Sequence, residues 1–294
     1  MQRTTRIPIP GVPSPVYHVS DTSSTLDLAA ALLADTTTAT PHLTTIIADR
    51  QSAGRGRLGR TWTTPDGQAL LASTIVSLPT SFPTEMLGWL VHACALSVRD
   101  ALSSRLSPLG HTVSLKWPND VLVDGARKIC GILAQLAPAS SPFTTAAILG
   151  YGVNIGQERA ILPTAQATSL AAEGDQSAGE DPTGVAHELL GQILAGLDRR
   201  ISSLVRHGDA MSAGLLAEAE AALPLIGTRI ALASPTDASG TPALEGLALG
   251  LAPTGALLLR TDDGHSHRID AGDVLTTGIP LTPVHDTKEK RANN

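Results

Sequence analysis

The sequence predicts an α+β domain, with a mixed central sheet flanked by helices, followed by a small C-terminal β-barrel. Short apolar segments typical of strands fill the middle of the chain, and longer segments with helical spacing lie on either side of them. After Pro224, short strands alternate with Gly and Asp, a pattern that favours a small barrel. Hydrophobic residues make up 42% of the 294 residues and aromatic residues only 2%, so aliphatic side chains must form most of the core.

In chain order, Pro, Gly and Asp separate the predicted elements from one another. After an extended Pro-rich segment at 1–15, strands are predicted at 16–19, 43–48, 69–77, 112–115, 121–123, 128–136 and 145–151. Helices are predicted from a cap at Asp21, Ser23 or Ser24 to about Ala34, over 84–106, from Pro182 to about Leu204, and over 209–223, with a polar loop at 171–182. The barrel strands are predicted at 228–233, 244–251, 256–260 and 265–270.

These elements divide the chain into four parts. The extended segment at 1–15 precedes a main domain at 16–223, and the small barrel occupies 224–278. Residues 279–294 are polar and charged, and we expect them to be disordered.

The overall composition excludes several classes of protein. The net charge of −6 argues against a general nucleic-acid-binding protein, because such proteins are usually basic. Cys94 and Cys130 are the only cysteines, so at most one disulfide could form, and no zinc-binding spacing is present. Residues 1–16 lack the apolar segment of a signal peptide, and no apolar run approaches the ~20 residues of a membrane helix. We therefore expect a cytoplasmic protein that does not bind membranes.

A loop rich in glycine and arginine carries the strongest functional signal. Four arginines and three glycines lie within residues 50–60. Glycine lets a ligand approach the backbone closely, and the guanidinium group donates hydrogen bonds to carboxylate and phosphate oxygens. The pattern is typical of a segment that wraps around an anion, although a solvated basic loop would have a similar composition.

Three further motifs follow this loop. The pentapeptide at 116–120 (Lys-Trp-Pro-Asn-Asp) ends a strand with groups suited to phosphate or Mg²⁺, or forms an ordinary surface turn. Lys128 interrupts an otherwise apolar strand, with Gly131 three residues later, and would point either into a pocket or to solvent at a sheet edge. Gly150 and Gly152 alternate along a strand, which either leaves one sheet face open to a flat ligand or marks a bulge.

Together, these four motifs resemble those of the biotin–protein ligases. The chain contains Gly-Arg-Gly-Arg-x-Gly-Arg at 54–60, Lys-Trp-Pro-Asn-Asp at 116–120, Lys-x-x-Gly-Ile-Leu at 128–133 and Gly-x-Gly-x-Asn at 150–154. The resemblance covers about residues 16–278. It implies the biotin-ligase catalytic fold, which is like that of class II aminoacyl-tRNA synthetases, in the main domain, and an SH3-like fold in the small barrel.

The resemblance also implies a two-step reaction with known substrates. Biotin and ATP, with Mg²⁺, would give biotinyl-5′-AMP and pyrophosphate. A lysine of a biotin carboxyl carrier protein would then attack this mixed anhydride and release AMP. The closing Gly/Arg loop would keep water away from the anhydride.

The resemblance implies a role for each motif residue. The residues expected to contact biotin are Ser24, Thr25, Gln51, Gly54, Arg55, Gly56, Arg57, Lys128, Gly131 and Gly150. Those expected to contact ATP or the adenylate are Arg57, Arg60, Trp62, Lys116, Asn119, Lys128 and Asn154. The expected catalytic groups are Lys128, Arg57, Asp120 and Lys116. Asp120 would either bind Mg²⁺ or activate the acceptor lysine, and the sequence leaves both roles open.

The sequence departs from the family pattern at the start of the first helix. Where the family has Ser-Thr-Asn, this chain has Ser24-Thr25-Leu26, and Ser23 offers a second alignment of the motif. The Gly/Arg loop begins near residue 50, which leaves no room before it for the DNA-binding domain of some family members. We therefore expect a monofunctional ligase that does not bind operator DNA. The alternatives are a lipoate–protein ligase, which shares the fold and the Lys-x-x-Gly element, and a non-enzymatic biotin sensor.

Overall fold

The computed structural model describes residues 4–35, 37–137, 144–233 and 242–275, whose strands form two sheets. The first sheet consists of β1 (Thr5–Ile7), β2 (Val16–Thr22), β3 (Thr45–Gln51), β4 (Ala69–Pro79), β5 (Val113–Lys116), β6 (Asp120–Val123), β7 (Arg127–Ala137) and β8 (Thr144–Asn154). The second consists of β9 (Arg229–Ala233), β10 (Pro242–Leu251), β11 (Leu257–Arg260), β12 (Ser266–Ile269) and β13 (Asp273–Leu275). The α-helices are α1 (Thr25–Ala34), α2 (Trp89–Leu106), α3 (Gln176–Glu180), α4 (Pro182–His207) and α5 (Leu215–Ala221).

The first sheet is mixed, as predicted, and has an apolar layer on each face. Its strand order is β1-β2-β3-β4-β8-β7-β6-β5, and β2 and β3 are parallel whereas the other neighbours are antiparallel. Successive side chains of a strand point to opposite faces, so Ile46 packs with α1 while Ile47 belongs to the core that contains α2 and α4. Both faces of the central strands are therefore buried, which explains their nearly continuous apolar sequences.

Local sequence signals set the ends of the helices. The Ser24 hydroxyl caps α1 by accepting a hydrogen bond from the Leu26 amide at 3.3 Å. Asp181 caps α4 through the Gly184 amide at 2.9 Å, and Pro182 occupies its first turn, as the sequence predicted. The helix ends at Gly208, whose φ of 77° few other residues adopt at low cost.

The second sheet packs against the first domain through α2. The Trp89 indole donates to the Pro253 carbonyl at 2.7 Å, and the buried His92 Nε2 lies 3.0 Å from the Gly255 carbonyl oxygen. Apolar residues of the second sheet, such as Leu257 and Leu259, belong to the same hydrophobic cluster as α2. The small C-terminal sheet therefore lies beside β5, whose last residue begins the turn at 116–120.

Several sequence predictions needed correction. The predicted barrel is a five-stranded antiparallel sheet of order β12-β11-β10-β9-β13, and no closing pair between its edge strands occurs in the described part of the chain. The predicted loop at 171–182 contains α3, which Asp175 caps. The predicted helix at 209–223 is reduced to α5, because Gly214 adopts a left-handed conformation just before it.

Two further expectations concern the ends of the chain and membranes. The tail at 279–294, which we predicted to be disordered, lies outside the described residues. Within the described residues, none of the helices combines the length and the apolar character required to cross a membrane.

Candidate active site

A cavity opens where the start of α1, the Gly/Arg loop and the middle of β7 and β8 meet. The predicted site residues that line it are Ser24, Thr25, Gln51, Arg55, Gly56, Arg57, Arg60, Trp62, Asn119, Asp120, Lys128, Gly131 and Gly150. Among the other residues on its wall, Leu26, Tyr151 and Asp273 had no site role in the sequence analysis. Motifs separated by about a hundred residues in the sequence thus converge on one site.

A second cavity adjoins the first. It shares Thr61, Trp62 and Lys128 with the first cavity, and its far wall is a segment between residues 161 and 167. Asn154 also lines this second cavity. Lys128 and the Trp62 ring therefore lie at the junction of two compartments, where groups bound in each would meet.

Lys128 is placed by contacts of both its side chain and its backbone. Its Nζ lies 2.7 Å from Asp120 Oδ1 and 5.6 Å from the centroid of the Trp62 ring. Its amide donates to the Gln166 carbonyl at 2.6 Å, and its carbonyl accepts from the Thr168 amide at 2.8 Å. The Lys128 side chain is 37% exposed, so an incoming anion can reach its ammonium group.

The Gly/Arg loop folds back on itself. Gly56 donates to the Arg60 carbonyl at 2.7 Å, and Trp62 donates to the Gly54 carbonyl at 2.9 Å. Leu58 at the tip has a φ of 55° and is half exposed. The turn thus projects arginines toward the cavity and leaves an apolar side chain in contact with solvent at its tip.

The arginines of the loop already contact carboxylates. Arg57 Nη1 lies 3.2 Å from Asn119 Oδ1 and 3.3 Å from Asp273 Oδ1, and Arg60 Nη2 lies 2.5 Å from Asp273 Oδ2. Arg55 pairs with Asp27 at 2.5 Å on the outer side. One carboxylate of β13 in the C-terminal sheet therefore engages both arginines that were expected to contact phosphate.

The opposite end of the first cavity is polar and uncharged. The Thr25 amide and hydroxyl both donate to Gln51 Oε1, at 2.8 and 3.1 Å, and the Ser73 hydroxyl donates to Thr25 Oγ1 at 2.8 Å. These groups are positioned by the start of α1, the end of β3 and the middle of β4. They suit a small neutral group with several donors and acceptors, such as a ureido ring.

Comparison with known proteins agrees with this geometry. Residues 20–154 match the family described as "Biotin/lipoate A/B protein ligase family", and residues 237–275 match "Biotin protein ligase C terminal domain". The bifunctional ligase/repressor BirA of Bacillus subtilis is 31% identical over 251 residues, which is 85% of this chain and 70% of that protein. The biotin–[acetyl-CoA-carboxylase] ligase of Mycobacterium tuberculosis is 31% identical over 230 residues, 78% of this chain and 77% of the relative.

This chain belongs to the biotin/lipoate A/B protein ligase family. Its C-terminal match and its relatives place it among the biotin ligases of that family. The solved structure of biotin protein ligase from Aquifex aeolicus in complex with biotin and ATP aligns with a TM-score of 0.63 at 25% identity, covering 88% of this chain and 97% of that chain. The predicted fold class is thereby confirmed.

The glycines of the ligase site make room for the protein's own side chains. A Cβ at Gly150 would lie 2.8 Å from Leu26 Cγ, and a Cβ at Gly152 would lie 2.6 Å from Trp62 Cε2. At Gly131 it would lie 3.2 Å from both the end of the Lys128 side chain and the Trp62 ring. The strip of glycines that we expected to lie against a ligand therefore first sets the positions of Leu26 and Trp62, which form the cavity wall.

The structure does not bring Gly54, Lys116 and Asn154 into the first cavity. Gly54 packs against the Trp62 backbone, where a Cβ would be 2.3 Å from the Trp62 carbonyl oxygen. Lys116 lines a separate groove between β5 and the second sheet. The buried Asn154 amide donates to the Thr168 carbonyl at 2.9 Å and its oxygen accepts from Gln157 at 3.1 Å, so it braces the wall of the second cavity.

Proposed function

We propose that this ligase activates biotin with ATP to form biotinyl-5′-AMP and then transfers biotin to a lysine of a biotin carboxyl carrier protein. The observation that carries the proposal is the position of Lys128, whose side chain lines both cavities. Two substrates that react end to end need two adjoining compartments and a positive charge at their junction. Lys128 supplies that charge where a biotin carboxylate and an α-phosphate would meet.

The ends of the two cavities support the placement of the substrates. The ureido ring of biotin would lie against Thr25 and Gln51, and the carboxylate at the other end of biotin would point toward Lys128. The adenine of ATP would lie in the second cavity beside the Trp62 ring and the segment at 161–167. Stacking of a base on an aromatic ring contributes roughly 1–3 kcal/mol.

The first step requires two anions to approach each other, which Coulomb repulsion opposes. In the described structure, Lys128 is paired with Asp120, and Arg57 and Arg60 contact Asp273. Substrate carboxylate and phosphate oxygens would take the place of these carboxylates beside the cations. The positive groups are thus arranged before the substrates bind, which is the condition for effective electrostatic stabilisation.

The residues present fit a magnesium ion delivered with the nucleotide. Mg²⁺ is usually held by one or two carboxylates together with substrate phosphates and water. Asp120 faces the cavity beside Lys128, and its side chain is 20% exposed. When bound, the ion would neutralise phosphate charge, and Asp120 would hold it or accept the proton of the carrier lysine.

Release of pyrophosphate from ATP on addition of biotin tests the first step, with lipoate as the control substrate. Release with biotin alone supports the proposal. Release with lipoate instead would favour the lipoate ligases, although the relatives do not favour that alternative. No release with either substrate, in folded protein with Mg²⁺, would favour a biotin sensor.

The second step needs a separate measurement. Labelled biotin should pass to a purified carrier domain, and it should not pass to the same domain with its acceptor lysine replaced by arginine. Labelling of both versions to the same extent would contradict a specific transfer.

A further inference from the structure

A buried carboxylate lies behind the strand that carries Lys128. The Glu173 side chain is only 4% exposed. Its Oε1 accepts from Arg127 Nε at 2.6 Å, from the Thr168 hydroxyl and from Arg159 at 3.3 Å, and its Oε2 accepts from Arg127 Nη2 at 2.9 Å. Three chain segments are therefore joined at one carboxyl group.

This carboxylate is charged because its partners compensate for its burial. Burial alone raises the pKa of the Glu173 carboxyl, but the hydrogen bonds from Arg127 and Thr168 outweigh it and hold the pKa below its usual range. A buried carboxylate is stable only when it is paired and hydrogen-bonded in this way. Because loss of either hydrogen-bond partner would leave a buried charge uncompensated, Arg127 and Thr168 are held in place around the Glu173 carboxylate.

Two of the partners of Glu173, Arg127 and Thr168, lie next to Lys128 in the sequence or in space. Arg127 immediately precedes Lys128 in β7, and Thr168 ends the segment that pairs with the Lys128 backbone. The Thr168 carbonyl also accepts from the Asn154 side chain at 2.9 Å. Fixing Arg127 and Thr168 to one carboxyl group therefore fixes the distance between Lys128 and the far wall of the second cavity.

The same cluster includes His111 and Asp124, but its charges are already matched. His111 Nδ1 lies 2.8 Å from Asp124 Oδ2, and Arg127 Nη2 lies 2.6 Å from the same oxygen. Arg127 thus pairs with both carboxylates at once. The guanidinium takes the place that a bound cation would need, so the cluster favours a bracing role over a metal site.

We propose that Glu173 is a positioning residue for the nucleotide, which holds the wall of the second cavity at the correct distance from Lys128. The proposal rests on the function proposed above, because it assigns adenine to that cavity. A positioning role of this kind should affect ATP binding and leave biotin binding unchanged, whereas a general structural role should affect both. Biotin binds in the first cavity, of which neither Thr168 nor the 161–167 segment forms part.

The test compares Glu173→Gln with Asp124→Asn. Both variants remove a carboxylate that contacts Arg127, but only Glu173 also contacts Thr168. Pyrophosphate release would be measured against ATP at saturating biotin, and against biotin at saturating ATP. We expect Glu173→Gln to raise the KM for ATP on the order of 10–100-fold, as a displaced site wall would, and to leave the KM for biotin within about twofold. Asp124→Asn should leave both values near those of the wild type.

Hydrogen exchange of the intact protein provides a readout that does not depend on catalysis. Amides over residues 161–168 should exchange faster in Glu173→Gln than in Asp124→Asn. If Glu173→Gln fails to fold, Thr168→Val removes the same bridge while keeping the pair between Glu173 and Arg127, and the same shifts are expected.

The outcomes separate this proposal from the function on which it rests. Equal losses for ATP and biotin, or equal behaviour of the Glu173 and Asp124 variants, would overturn the positioning role. A wild-type protein without biotin-dependent pyrophosphate release would overturn the proposed function instead. Even then, unchanged exchange over 161–168 in Glu173→Gln would overturn the bracing of that segment.

Discussion

The contact between Gly152 and Trp62 allows the packing of the ligase site to be tested quantitatively. In Gly152→Ala, the new Cβ would lie 2.6, 2.7 and 2.9 Å from Trp62 Cε2, Nε1 and Cζ2. Ordinary van der Waals contact begins at 3.4 Å, so the indole would have to retreat by at least 0.8 Å. Overpacking of this kind costs about 1–3 kcal/mol of folding free energy.

The displacement should affect stability and activity together. At about 2–4 °C per kcal/mol for a protein of roughly this size, the melting temperature should fall by several degrees. Because Trp62 lines both cavities, kcat/KM for biotin-dependent pyrophosphate release should fall by on the order of 10–100-fold, the usual effect of a displacement of about 1 Å at a reacting centre.

Two alanine substitutions serve as matched controls. In Gly131→Ala, the closest atoms lie at 3.2 Å and include the end of the flexible Lys128 side chain, so a smaller loss is expected. Gly179 lies in α3, and the nearest atom to an added Cβ would be Ala171 Cβ at 3.8 Å. Because alanine favours a helix over glycine, the stability of Gly179→Ala should be unchanged or raised. If Gly152→Ala retained the melting temperature and activity of the wild type, the close contact between Gly152 and Trp62 would be refuted.

Three other predictions concern the reaction and the interface with the second sheet. Lys128→Ala should reduce pyrophosphate release by at least about 100-fold, as loss of a charge-stabilising group does, and unchanged release would contradict the role of Lys128. Arg57→Gly should remove one of the loop's two contacts with Asp273, loosen the loop and let activated biotin escape, so labelling of an unrelated protein should increase; an unaltered background would count against this. Burial lowers the pKa of His92 from about 6.5, so the unfolded state binds the extra proton and stability should fall as pH drops below about 6.5. Between pH 7.5 and 5.5, the melting temperature of His92→Gln should fall less than that of the wild type. Equal falls in the two proteins would exclude His92 as a source of the pH-dependent loss of stability.

The sequence was sufficient to predict the elements whose signals are local. Short apolar runs predicted the central strands. Pro182 marked the start of one helix, and the structure selects Ser24 from the three candidate caps of another. The prediction of a C-terminal barrel was only partly correct: its strands form an antiparallel sheet, but the sequence does not show whether the edge strands pair, because such pairing joins distant parts of the chain. The helix at 209–223 was too long, because the left-handed backbone at Gly214 is not visible in apolar spacing.

By itself, the sequence determined which residue types the candidate site contains, because each motif keeps its residues within a few positions of one another. Only the tertiary structure decided how those motifs meet. It brought Asp273 of the second sheet to Arg57, it placed Lys116 in a separate groove, and it paired the 161–167 segment with Lys128. These outcomes depend on contacts between residues far apart in the chain, and such contacts leave no periodicity or spacing from which they can be read.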